Sequence, residues 1–271
     1  MKIGFLQSKP QFGRVKDNVK AARSMLSAMT DATVVLPELF NTGYLFRNMD
    51  EVKALSESVA TGYTVGEMKK VAKQQNLNLV FGIAEKKASK YYNTSVFVSA
   101  AGKVETYQKV HLFDREKLFF QPGEQAFKTY AVEGGRIGMM VCFDWIYPEV
   151  ARVLALQGAH VICHPSNLVL PWGQEGMKIR SIENRVFTVT ANRIGAEKRG
   201  SVALTFSGKS QILNPKGETL VSGGERSESL KVVEIDVAEA EDKMATPSND
   251  LFQDRQPALY KAIAHKKPKR S

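Results

Sequence analysis

The sequence predicts an α/β protein built on mixed sheets and organised as one domain. Three observations lead there. Strand-like and helix-like segments alternate along the chain. Several of the strand-like segments are joined by tight turns, which pair strands antiparallel, so a purely parallel doubly wound sheet does not fit. No stretch between them has the composition of a linker between two cores.

Residues 2–7 read as a strand. Residues 17–29 form an amphipathic helix with Val19, Ala22, Leu26 and Met29 on one stripe. Residues 33–36 are a short apolar strand that ends at Pro37-Glu38. A helix over 66–75 leads into a strand over 77–84. Residues 93–99 and 104–108 are rich in β-formers and make a hairpin around Ala101-Gly102-Lys103. An apolar strand spans 136–142. A helix over 148–157 stops at Gly158, as a C-cap glycine would stop it. Strand 161–164, helix 174–185 and strand 187–191 follow. Residues 209–214 and 218–222 pair through Pro215-Lys216-Gly217, residues 230–236 are the last strand, and an arm begins near residue 244.

The 271 residues are 43% hydrophobic and 24% charged, the balance of a globular protein able to bury a large core. No apolar run reaches the roughly eighteen residues of a membrane helix, and the run near Met1 is too short for a signal peptide. A soluble cytoplasmic protein is expected. Two cysteines, Cys142 and Cys163, make no disulfide framework, although count alone allows one bridge. The four histidines show no metal-binding spacing. Cys163 and His164 are adjacent on a strand and so point to opposite faces. No metal is expected. The net charge is +10, but the basic residues are scattered, which argues against a nucleic-acid partner. The one dense run, residues 265–270, reads as a solvated terminus rather than an anionic-partner arm.

Glu38, Lys109 and Cys142 each lie just after a short apolar or β-rich run, where α/β proteins present reactive side chains from a rigid base. Together they could make an acyl-transfer site. The thiol needs a base, a buried carboxylate can supply one, and an ammonium can hold the oxyanion. Taken singly, each has a plainer reading: Cys142 as a small core residue, Glu38 as a helix-capping carboxylate, Lys109 as a surface lysine. Cys163, within Val161-Ile162-Cys163, fits the core reading better still.

The contexts change this. Leu36-Pro37-Glu38-Leu39-Phe40, Tyr107-Gln108-Lys109-Val110-His111-Leu112-Phe113 and Val141-Cys142-Phe143-Asp144-Trp145-Ile146-Tyr147-Pro148-Glu149 occur in that order. They resemble the three signature regions of the nitrilase superfamily of carbon–nitrogen hydrolases. His164-Pro165-Ser166-Asn167 and Glu183-Asn184-Arg185 extend the likeness, which runs from Ile3 to about residue 236. The resemblance implies a four-layer α-β-β-α sandwich that assembles into dimers or larger oligomers. It implies Glu38 as general base and acid, Cys142 as nucleophile, and Lys109 with the backbone N–H of Phe143 as the oxyanion site. A second glutamate that positions substrate and lysine falls on Glu116, preferred over Glu124, which follows the Pro122-Gly123 turn. No cofactor is expected, because the thiolate itself supplies the nucleophile.

The substrate is less legible. Phe143-Asp144 after the cysteine resembles the amidase and carbamoylase branches, whereas nitrile-cleaving branches often carry Trp-Glu, and some compact nitrilases share Phe-Asp. Carbamoyl-amino-acid hydrolases place arginines where this chain has Trp145 and Ile146, which argues against a carboxylate held in that way. Tyr44, Trp145, Asn167 and Trp172 are pocket candidates, with residues 41–50 and 166–176 near the mouth. Core or interface packing is an equal reading for both tryptophans, as is a structural hydrogen bond for Asn167. The leading expectation is an amidase acting on a small amide or carbamoyl compound. A nitrilase is the alternative, and a catalytically silent scaffold is the reading from another class.

Overall fold

β1 (Lys2–Gln7) sends Ile3 and Phe5 to one face and Leu6 to the other, and that alternation sets the layer plan. The computed structural model describes residues 1–265. The elements that follow β1 in the first half are α1 (Val15–Leu26), β2 (Thr33–Val35), α2 (Met49–Leu55), α3 (Tyr63–Gln75), β3 (Asn78–Lys87), β4 (Lys90–Val98) and β5 (Val104–Gln108). The second half contains β6 (Thr129–Val132), β7 (Gly135–Met139), α4 (Pro148–Leu156), β8 (Val161–Ser166), α5 (Gly173–Asn184) and β9 (Phe187–Asn192). After them come β10 (Ile194–Arg199), β11 (Val202–Ser207), β12 (Gln211–Leu213), β13 (Thr219–Ser222) and β14 (Ser229–Glu234).

Two six-stranded sheets result, in the orders β14-β1-β2-β3-β4-β5 and β13-β12-β9-β8-β7-β6. Each has three parallel strands in its middle, β1-β2-β3 and β7-β8-β9, and antiparallel strands outside them. Ile3, Phe5, Val35, Val80 and Phe97 face the second sheet and join its core. Leu6, Val34, Leu79, Phe81 and Val96 face α1 and α3, where Val19, Leu26, Met68 and Val71 meet them. On the far side, Val150, Leu154 and Met177 of α4 and α5 cover the second sheet. The expected α-β-β-α sandwich with mixed sheets is what forms. Among the described residues, no helix is long and apolar enough to cross a membrane.

Some boundaries differ from the expectations. The apolar run 136–142 is a strand only to Met139, because the Asp144 carboxylate takes the Val141 N–H at 2.8 Å and turns the chain into a 3-10 turn, Cys142–Ile146. β3 runs beyond residue 84 into polar Lys86-Lys87 and turns straight into β4, since the backbone ladder persists past the apolar stretch. The β10–β11 hairpin and β6 fall outside the expected strands: β10 carries the charged run Glu197-Lys198-Arg199 and β6 is only four residues long, although Val202, Leu204 and Phe206 of β11 do alternate as a strand's would. Residues 41–50, read as a loop or short helix near the mouth, also place Phe46 in a small core with Leu39 and Phe120, and α2 starts at Met49. Of the basic run 265–270, all but His265 lies outside the described residues.

Candidate active site

The turn that carries Glu38 lies flat on β3. The Gly82 N–H bonds the Pro37 carbonyl at 3.1 Å, and the Phe40 N–H bonds the Gly82 carbonyl at 3.1 Å. A Cβ on Gly82 would sit 2.6 Å from the Glu38 Cα, so only glycine lets the turn approach this closely. Lys109 follows the last residue of β5, and its N–H bonds the Asn93 carbonyl of β4 at 2.8 Å. Cys142 opens the 3-10 turn with φ +40°, a left-handed conformation that costs a β-carbon residue about 1–3 kcal/mol. Asp144, fully buried, holds that turn: besides Val141 it accepts from the Tyr107 hydroxyl at 2.8 Å and from His111 Nδ1 at 2.8 Å.

These backbone placements bring four ionisable groups together out of water. Lys109 Nζ lies 2.7 Å from Glu38 Oε1 and 2.8 Å from Glu116 Oε1. An ammonium has three N–H donors, so one is left for another acceptor. Asn93 Nδ2 also donates to Glu38 Oε1, at 2.7 Å, while Glu38 Oε2 has no partner among the described residues. Glu116 Oε1 accepts from the Tyr44 hydroxyl at 2.7 Å, and its other oxygen faces the Phe113 N–H at 3.3 Å. Glu124, the rival position, is exposed.

The charges follow from the surroundings. Burial disfavours the Lys109 cation, but the Glu116 and Glu38 carboxylates outweigh it and hold the ammonium protonated well above its usual range. Burial raises the Glu116 carboxyl, with Lys109 pulling the other way. Burial pushes the Cys142 thiol well up, the Glu38 charge adds to this, and Lys109 opposes it. The resting thiol is therefore protonated.

Asn167 follows β8 and is almost wholly buried; its Nδ2 donates to the Glu38 carbonyl at 2.9 Å. It lines a narrow cavity with Cys142, Phe143 and Trp145, walled further by Phe113 and Leu168. Trp145 is pinned against α5, where a Cβ on Gly176 would come within 2.4 Å of its ring. Tyr44 lines the adjoining cleft with Phe46, Phe113 and Phe119. Trp172 is a correction to the expected pocket: it is 60% exposed and outside both linings, because α5 begins at Gly173 and buries Gln174 and Met177 instead.

The sequence reading missed three residues of this cluster. Asn93 carries no local signal, since its partner Glu38 is 55 positions away. Phe113 was visible only as part of a motif. His164 had a signal, a titratable side chain ending the apolar run Val161-Ile162-Cys163, and it turns out fully buried with Nε2 2.8 Å from the Cys142 carbonyl oxygen. Cys163 points into apolar core, where burial raises its thiol to about 12. Both cysteines are free. No group of three His, Cys, Asp or Glu side chains among the described residues is arranged to hold a metal ion. A wider groove lined by Met1, Lys2, Asp31 and Glu133 contains none of the cluster's residues.

The sequence profile of the carbon–nitrogen hydrolase family matches residues 2–243 of this chain. A protein named nitrilase from Pyrococcus abyssi is 41% identical over 263 residues, covering 96% of this chain and 99% of that one. An (R)-stereoselective amidase from Pseudomonas sp is 30% identical over 260 residues, with 94% and 91% covered. Among solved structures, a carbon-nitrogen hydrolase from Helicobacter pylori G27 superposes with a TM-score of 0.87 at 24% identity, covering 98% of each chain.

Proposed function

This chain belongs to the carbon–nitrogen hydrolase family of the nitrilase superfamily, enzymes that cleave non-peptide C–N bonds, and on that premise we propose that it is an amidase acting on a small amide or carbamoyl compound through a Cys142 thioester. The observation that carries the reading is Lys109 wedged between Glu38 and Glu116 beside the buried Cys142 thiol.

Each group has a role that its environment suits. Glu38 Oε2, which has no partner among the described residues, takes the thiol proton as Cys142 Sγ attacks the amide carbon. The remaining N–H of Lys109 and the backbone N–H of Phe143 hold the oxyanion, preorganised where water cannot compete. Glu38 returns the proton to the leaving nitrogen, ammonia departs and the thioester remains. Glu38 then takes a proton from water, whose attack releases the acid and the thiol. Glu116 holds Lys109 in place and shares its charge. Tyr44 steadies Glu116 through its hydroxyl, and Phe143, Trp145 and Asn167 line the substrate cavity.

A nitrile would enter the same site through a thioimidate, and the 41% identical relative named nitrilase favours that second reading. The proposal further takes residues 1–271 as one catalytic domain working in the cytoplasm as a homodimer or larger assembly. Exposed Ile146, Ile179 and Ile182 around α5 support pairing.

Ammonia release from matched small amides, carbamoyl amines and nitriles tests the function, with Cys142→Ala beside the wild type. Release from amides that vanishes in the variant is expected. Release from nitriles, with little from the matching amides, would replace the amidase reading by the nitrilase one.

A further inference from the structure

Resting on the amidase reading, we infer that Asn167 is a specificity-determining residue whose Oδ1 accepts an N–H of the substrate's terminal –NH2, so that the site selects primary amides and terminal carbamoyl groups over nitriles. The argument starts from the side chain's orientation. Its nitrogen is identified by its partner, since the Glu38 carbonyl, 2.9 Å away, can only accept. The planar carboxamide then leaves Oδ1 on the opposite side. That oxygen is buried and has no partner among the described residues.

Several other buried side-chain atoms share that condition, but Asn167 Oδ1 is the one on a residue lining the cavity beside Cys142. Neither Asn93 nor Glu38 is in that lining, and Glu38 Oε2 has the proposed task of taking the thiol proton. The remaining walls are apolar, among them Phe113, Phe143, Trp145 and Leu168, so they provide no other acceptor side chain.

Asn167 and Cys142, the residue that attacks, line the same cavity. A carbonyl oxygen directed to Lys109 would put the –NH2 on the other side of the reacting carbon, and –NH2 has two donors. A nitrile has only a lone pair to offer. It would leave Oδ1 unpaired and face it acceptor to acceptor. Sites built to bind a substrate N–H reject analogues that lack it far more strongly than apolar pockets reject a missing methylene.

The test uses the amide and nitrile of one acyl group, chosen as the fastest pair among acetyl, propionyl and benzoyl. kcat/KM for both is measured in the wild type, Asn167→Leu and Asn167→Ala; the smaller alanine serves if the leucine variant does not fold. The expected result is that the amide-to-nitrile ratio falls roughly tenfold to a hundredfold in the variants. A purely structural role for Asn167 would lower both rates together and leave the ratio unchanged, which overturns the assignment. Preference of the wild type for the nitrile sinks the amidase reading instead, and the ratio still decides on Asn167.

Discussion

His164 Nε2 donates to the carbonyl oxygen of Cys142 at 2.8 Å, and its Nδ1 lies 3.1 Å from the Thr190 hydroxyl. A carbonyl can only accept, so the ring proton sits on Nε2 and Nδ1 takes the Thr190 proton. Cys142 C=O and Phe143 N–H belong to one trans peptide and point in opposite directions. Gripping the carbonyl on the core side therefore directs the Phe143 N–H away from the core, toward the proposed oxyanion, and holds Cys142 in its left-handed conformation.

That grip makes stability pH-dependent. Burial lowers the His164 pKa from 6.5 to about 4. The unfolded chain then takes up the proton first as pH falls, so this contribution is intact above 6.5 and is lost as pH drops toward 4. The shift corresponds to about 3 kcal/mol at most. Urea unfolding from pH 7 to 4 should show wild-type stability declining more steeply than that of His164→Gln, which keeps a donor near the Nε2 position without the titration. Parallel pH slopes would remove the role.

The two cysteines should separate cleanly. Cys142→Ala is expected to abolish turnover and leave the melting temperature nearly unchanged. Cys163→Ala should keep kcat and lose about 1–2 kcal/mol of stability from the packing it gives up. A folded but inactive Cys163→Ala beside an active Cys142→Ala would reverse the assignment of the nucleophile.

Glu38→Gln keeps the shape of the side chain and an oxygen for Lys109 and Asn93 but removes the base. Turnover should fall about a hundredfold to ten-thousandfold, with the fold retained and the thiol still present by titration with a maleimide in denaturant. Wild-type rates in this variant would rule Glu38 out.

Tyr44→Phe deletes the hydroxyl that donates to Glu116 Oε1 at 2.7 Å. A donor to the charged form favours that form, so its loss should raise the Glu116 pKa further. The acidic limb of the kcat/KM profile should move to higher pH, with activity at neutral pH down about twofold to tenfold. An unmoved limb would mean that Glu116 does not have to be ionised.

The sequence by itself determined an α/β class with mixed sheets; the four-layer plan and the roles of Glu38, Lys109, Cys142 and Glu116 came through the resemblance of its motifs to a known family. It could do so because strand and helix periodicity are local properties of the chain, and because Glu38, Lys109 and Cys142 each sit in a contiguous run of distinctive residues. It also separated Cys142 from Cys163, one at the end of an apolar run within a distinctive motif and the other inside an apolar strand. Only the tertiary structure decided what surrounds them. Asn93 meets Glu38, Asn167 bonds the Glu38 carbonyl, and His164 meets the Cys142 carbonyl, across separations of 55, 129 and 22 positions. No local pattern encodes such meetings. They arise because two sheets stack and bring the ends of β2, β5, β7 and β8 to one dry place, and dryness is what makes each of those hydrogen bonds necessary.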